Sequence, residues 1–147
     1  MARAHALAAC VLTLAFCGAP RDPVTACLAG AVRAAEARDA DGVMEPVAEG
    51  FRGAEGGGKA EADALVRRTL AAYASLSLSM SDLAVERGPA AAHAKFKVSM
   101  SGKPHSVGGL EGFLPRSSRW SFDVRLEAGA GGWKIVSAVW SPLEEGS

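Results

Sequence analysis

The sequence predicts an α+β fold in which three N-terminal helices pack on a strongly curved antiparallel sheet. Three observations carry this expectation. Apolar residues recur at three- and four-residue spacing from Val24 through Tyr73, the period of a helix face. From Leu76 onward the period becomes two, as in a half-buried strand. Near Ser81-Asp82 the alternation slips by one residue. An unrepaired slip would turn every later apolar side chain to the wrong face, so a bulge and a bend in the sheet are expected there.

Length and composition set outer bounds. The chain has 147 residues, enough for one domain, and 49% of them are apolar, enough for a core. Sixteen basic side chains balance sixteen acidic ones. No global field therefore draws the chain to nucleic acid or to an anionic membrane, and no aromatics interleave with basic residues on a strand face as nucleic-acid binding would need.

Residues 1–19 read as a targeting segment and residues 20–147 as the single domain. Arg3 and His5 make a basic start, and Ala6 to Phe16 is an uncharged, mostly apolar run. That run is shorter than the roughly 20 residues a membrane-spanning helix needs. Leu14-Ala15-Phe16-Cys17-Gly18 resembles a bacterial lipoprotein signal, in which cleavage frees a cysteine for lipid attachment. The resemblance implies an exported protein, periplasmic or anchored to a membrane only through lipid on Cys17. Cleavage near Ala19 and an uncleaved N-terminal helix are the alternatives. With Cys17 lipidated and Cys10 removed, Cys27 is the sole thiol and no internal disulfide can form. The three cysteines and His5, His93 and His105 have no metal-ligand spacing, and no motif calls for a cofactor.

Asp22-Pro23 is a helix start, with Asp as cap and Pro at the first helical position. Val24, Cys27, Leu28, Ala31, Val32 and Ala35 form the apolar face of this helix, which should end near Asp39 to Asp41. A second, short helix is expected to hold Val43, Met44, Val47 and Ala48. Gly56-Gly57-Gly58 then reads as a connector. A phosphate-cradling loop would need a hydroxyl after Gly58-Lys59, where Ala60 stands. The third helix spans Glu61 to Ser75, with Leu65, Val66, Thr69, Leu70, Ala72 and Tyr73 as its buried stripe.

Leu76, Leu78 and Met80 begin the first strand, and Leu83 and Val85 continue it past the slip. Gly88-Pro89 marks a turn. In the strand Ala92 to Ser101, Ala94, Phe96, Val98 and Met100 face one way; His93, Lys95, Lys97 and Ser99 form a solvated opposite face. The connection 102–119 is long for a hairpin, and its Leu110, Phe113 and Leu114 imply a flap over a cavity or a loop tucked against a helix. The closing hairpin runs from Trp120 to Trp140 and holds all three tryptophans. Its first strand has one apolar face, of Trp120, Phe122, Val124 and Leu126. In its second strand Trp133, Ile135, Ser137 and Val139 alternate with Lys134, Val136, Ala138 and Trp140. Both faces look apolar, which predicts cover on both sides: the helices on one, and on the other a partner subunit in a sheet-face homodimer, the long loop or the chain ends.

Ala37-Arg38-Asp39-Ala40-Asp41 closing the first helix, Gly50-Phe51-Arg52-Gly53 after the second and Trp133-Lys134-Ile135-Val136 in the last strand resemble the nuclear transport factor 2-like superfamily over residues 22–142. This group includes SnoaL-like cyclases, ketosteroid isomerases and dehydratases. The resemblance implies a cystatin-like cone with a cavity at its wide end, lined by Phe51, Tyr73, Phe96, Trp120, Phe122 and Trp140, with Trp133 as a further candidate. A family enzyme would hold an acid or base inside that cavity, and Tyr73 with Asp82 is the candidate pair. The ketosteroid isomerase pattern also places a tyrosine early among the helices, and residues 22–60 contain none. The leading expectation is an exported, non-catalytic domain that binds a small apolar ligand or a protein partner. A cyclase, isomerase or dehydratase using Tyr73 and Asp82, and a structural dimerisation module, are the alternatives.

Overall fold

Asp22 opens the first helix as the sequence predicts. The computed structural model describes residues 22–105 and 115–144; the targeting segment with Cys17, and the apolar part of the long connection, lie outside the described residues. The Asp22 carboxylate accepts the Thr25 amide at 3.0 Å, which satisfies one of the free donors of helix α1, Pro23–Glu36. The helix buries Val24 and Leu28. It ends at Glu36, two residues before Arg38 turns the chain with φ 57°, and Asp39 caps the one-turn helix α2, Ala40–Met44, through the Gly42 amide.

Here the expected second helix is corrected. Pro46 follows at once, and a proline cannot continue a helix without clashing with the preceding turn. Val47–Gly53 is instead strand β1, and it pairs in parallel with the last strand of the chain. A glycine-rich turn follows, with Gly56 at φ +80°. Helix α3, Lys59–Ala71, then begins with the Glu61 carboxylate accepting the Gly58 amide at 3.0 Å. This helix is shorter than expected: Tyr73 is already the first residue of strand β2, Tyr73–Arg87.

The remaining elements are β3 (Ala91–Pro104), β4 (Ser117–Gly129) and β5 (Gly132–Pro142). The strand order is β1-β5-β4-β3-β2. All neighbours are antiparallel except β1 and β5. The sheet curls around the helices, with α1 against β2 and α3 against β1. The α+β architecture and its curved sheet are as the sequence predicts.

Two bulges set which side chains enter the core. In β2, Ser81 pairs with Lys97 but Ala84 pairs with Lys95, so Asp82 and Leu83 together oppose Phe96. Asp82 takes φ +54° there, and Leu78, Met80, Leu83 and Val85 all pack against the core. This is the bulge the sequence predicts. In β5, Ser137 pairs with Arg125 but Ile135 pairs with Leu126, so Val136 is the extra residue. Trp133 and Ile135 before it, and Ala138 and Trp140 after it, therefore oppose Ala128, Leu126, Val124 and Phe122, one face of β4. The expectation of a strand apolar on both faces is corrected. The opposite face of β5 carries Lys134, Ser137, Val139 and Ser141, with Val139 51% exposed.

The core sits between the concave sheet face and the helices. Val24, Leu28, Phe51, Ala94, Phe96, Val124, Leu126 and Ile135 are among its members. Burying each Val, Leu, Ile or Phe side chain stabilises the fold by roughly 1.5–3 kcal/mol.

Candidate functional site

The groove is built from β5, β1 and α3. Phase restoration at Val136 brings Trp140 to the concave face at the end of β5. Phe51, 4% exposed, reaches the same region from β1. Helix α3 contributes Ala62 and Leu65, three residues apart and so on one side of the helix. The turn Gly53–Gly58 forms the rim, with Glu55 and Glu61. Together they enclose an open groove of about 330 Å³, within the usual range for small-ligand sites.

Of the residues expected to share one pocket, the structure brings Phe51 and Trp140 together. Phe96 and Phe122 stack on each other, centroids 5.2 Å apart and planes 5° from parallel. That pair fills core space rather than lining the groove. Trp120 shares their face of β4, paired with Val98, and its indole N–H donates to Ser118 Oγ at 3.0 Å. Trp133 lines a separate hollow of about 400 Å³ near Cys27 and Lys134. Leu65 was readable only as part of a buried helical stripe, and nothing in sequence tied that stripe to Trp140.

Tyr73 and Asp82 are not brought together. Tyr73 is 3% exposed, and its hydroxyl donates to the Pro115 carbonyl at 2.9 Å. Burial pushes its phenol pKa up. Asp82 stands on the convex face, ion-paired to Lys97 at 2.9 Å. The Lys97 hydrogen bond holds its carboxyl below the ordinary range, opposite to what a general acid near neutral pH requires. The reason is the bulge: αL geometry at Asp82 aims it outward beside the lysines of β3. The acid/base pair is therefore corrected.

His93 also lies on the convex face, hydrogen-bonded to Asp123. Cys27 is half-buried with its thiol 3.7 Å from the Trp133 carbonyl. Burial raises the thiol pKa more than nearby Lys134 lowers it, so it is held in the weakly nucleophilic protonated form. No cluster of metal-binding side chains occurs among the described residues, and no helix among them is long and apolar enough to cross a membrane.

Comparison with solved structures decides the fold. A nuclear transport factor 2-like superfamily protein from Salmonella enterica superposes with a TM-score of 0.68, 14% identity, 84% of this chain and 91% of its own. The chain has the nuclear transport factor 2-like fold. A candidate dehydratase of the nuclear transport factor 2-like group from Streptomyces avermitilis gives a TM-score of 0.69 at 14% identity, over 83% of this chain and 95% of that one. Bd1075 of Bdellovibrio bacteriovorus matches at 0.67 and 12% identity. There the match covers 83% of this chain but 40% of the longer Bdellovibrio protein. No family model and no curated protein matches the sequence. In nuclear transport factor 2-like terms, the groove lies between the third helix and the end of the last strand.

Proposed function

We propose that this nuclear transport factor 2-like domain is non-catalytic and binds a small apolar ligand in the groove between α3 and Trp140. The observation that carries the reading is the lining itself: Phe51, Ala62, Leu65 and Trp140 converge from three elements on one recess. Among the described residues no charged side chain is buried in the interior. The recess thus offers an apolar body with polar groups only at its rim, the usual form of a small-molecule site.

The test fills the recess. Replacement Leu65→Trp should abolish binding of indole, an apolar bicycle of suitable size, while the thermal melt stays cooperative. Unchanged indole binding in that variant, or none in the wild type, would overturn the reading.

The dimer alternative loses its motive, because the second apolar face of β5 disappears once the Val136 bulge is counted. We propose also that the domain is exported, on the strength of residues 1–19 and the Cys17 context. Mass spectrometry of the mature N-terminus tests this: a chain beginning at lipidated Cys17, or just after Ala19, supports export, and a chain that keeps residues 1–19 contradicts it.

A further inference from the structure

We infer that the end of α1 takes the place of a missing neighbour strand along β2, and so keeps the chain from pairing with a second copy of itself through that edge. The inference is independent of the ligand groove. The sheet has two edges, β1 and β2. Strand β1 has 7 residues, and it carries Glu49, Arg52 and two glycines. A short, charged edge discourages further pairing. Strand β2 has 15 residues, and its stretch from Tyr73 to Ser81 holds no charge, glycine or proline. Serines there alternate with Leu76, Leu78 and Met80. An antiparallel copy of the same stretch could therefore set serine beside serine and apolar beside apolar. A long, neutral, self-matching edge of this kind suits a second copy of the chain.

Two side chains from the end of α1 already occupy this strand. The Leu78 amide donates to Glu36 Oε1 at 3.2 Å, where a neighbour strand would present a carbonyl. Main-chain groups alternate in direction along a strand, so the amides of Leu76 and Met80 face the same way as that of Leu78. Near the start of β2, Arg38 Nη1 donates to the Tyr73 carbonyl at 3.0 Å. Neither side chain suits its own place for local reasons. Glu36 is the last residue of α1, where the partial negative charge of the helix end disfavours a carboxylate. Arg38 takes φ 57° in a turn closed by the Asp39 amide on the Ala34 carbonyl at 2.8 Å, a conformation in which glycine is preferred. Contact with β2 accounts for both departures.

Sedimentation velocity over a wide concentration range tests this, with the wild type beside the double variant Glu36→Ala, Arg38→Gly. Alanine is a good helix former and glycine accepts the positive φ, so the double variant should melt cooperatively. It should self-associate at concentrations roughly tenfold or more below those at which the wild type does, the gain expected from freeing a donor held by a charged acceptor. Glu36→Gln keeps an oxygen for the Leu78 amide and should behave as the wild type. Adding Ser77→Lys and Ser79→Lys, at two exposed positions of β2, should return the double variant to a monomer by like-charge repulsion across the new pair. A cooperative double variant that stays monomeric overturns the inference. Association that survives the two lysines overturns it too, as does a wild type that already dimerises and is separated by them. If the double variant does not fold, Glu36→Ala and Arg38→Gly are read singly by the same criteria.

Discussion

Trp133 and Trp140 stand on the same face of β5 because Val136 is an extra residue between them. Register places Trp133 opposite Ala128 and Trp140 opposite Phe122, on one face of β4. Without the bulge, Trp140 would project from the convex face and the groove would lose its wall. Deletion of Val136 tests this. The shortened strand must either turn Ala138 and Trp140 outward or break its pairing with β4. The expected outcome is loss of a cooperative melt and red-shifted tryptophan emission; a native-like melt with unshifted emission would contradict the register.

Gly102 is required by a close approach. A Cβ there would stand 2.8 Å from Tyr73 Cδ1, 2.9 Å from Leu76 Cδ2 and 3.0 Å from the Ser75 carbonyl. At Gly50 a Cβ would meet nothing within 4 Å. Denaturant unfolding should therefore show Gly102→Ala destabilised by about 1–3 kcal/mol. Gly50→Ala should be neutral or slightly stabilising, since it restricts the unfolded chain.

Tyr73 is the only tyrosine, so its titration can be read directly by phenolate absorbance. Burial raises its pKa above the ordinary 10.0. A raised folded-state value means that the neutral phenol is favoured in the fold. Its contribution is fully present below pH 10 and is lost as pH rises through the folded value. The absorbance midpoint of the folded protein should lie above 10.0, and Tyr73→Phe should flatten the alkaline limb of the stability curve. The same variant should lose roughly 1 kcal/mol at neutral pH for the hydrogen bond to Pro115.

Asp22 governs the acid side. The Thr25 amide bond first, and the Arg87 ion pair with it, hold its carboxyl below the ordinary 3.8. A depressed folded-state value gives stability that is present above pH 3.8 and lost as pH falls through the folded value. Arg87 also lies over the Trp133 ring, 5.5 Å from its centroid. Asp22 thereby couples the start of α1 to the ends of β2 and β5. Asn caps helices about as well as Asp. Asp22→Asn should therefore keep the helix start, lower the neutral-pH melting temperature slightly and lose less stability than the wild type on acidification. Parallel acid unfolding of the two proteins checks this.

Some of this was legible in the sequence because the local signals were strong. The β2 bulge showed because Leu76, Leu78 and Met80 alternate with serines before it, and Leu83 and Val85 resume out of phase after it. The β5 bulge was hidden because Val136-Ser137-Ala138 offers small side chains that suit either face. Strand β1 was hidden for a different reason: Val47 to Gly53 carries two glycines and no alternation, and it becomes a strand only by parallel pairing with β5, far along the chain. Pro46 was the available warning. In the groove, Phe51 and Trp140 were legible as aromatics of the expected cone. Ala62, Leu65, Glu55 and Glu61 were not, because only the packing of α3 beside β1 brings them there. Tyr73 and Asp82 share a strand, yet one is buried and the other faces out.

Trp140 walls the groove between α3 and the end of β5. The most direct measurement follows the three indole N–H signals in a proton–nitrogen correlation spectrum as indole is added, with Trp140→Phe identifying the Trp140 peak. Indole should produce a saturable shift of the Trp140 signal, with the Trp120 and Trp133 signals nearly still. A Trp140 signal that does not move, or moves no more than the other two, would contradict binding in this groove.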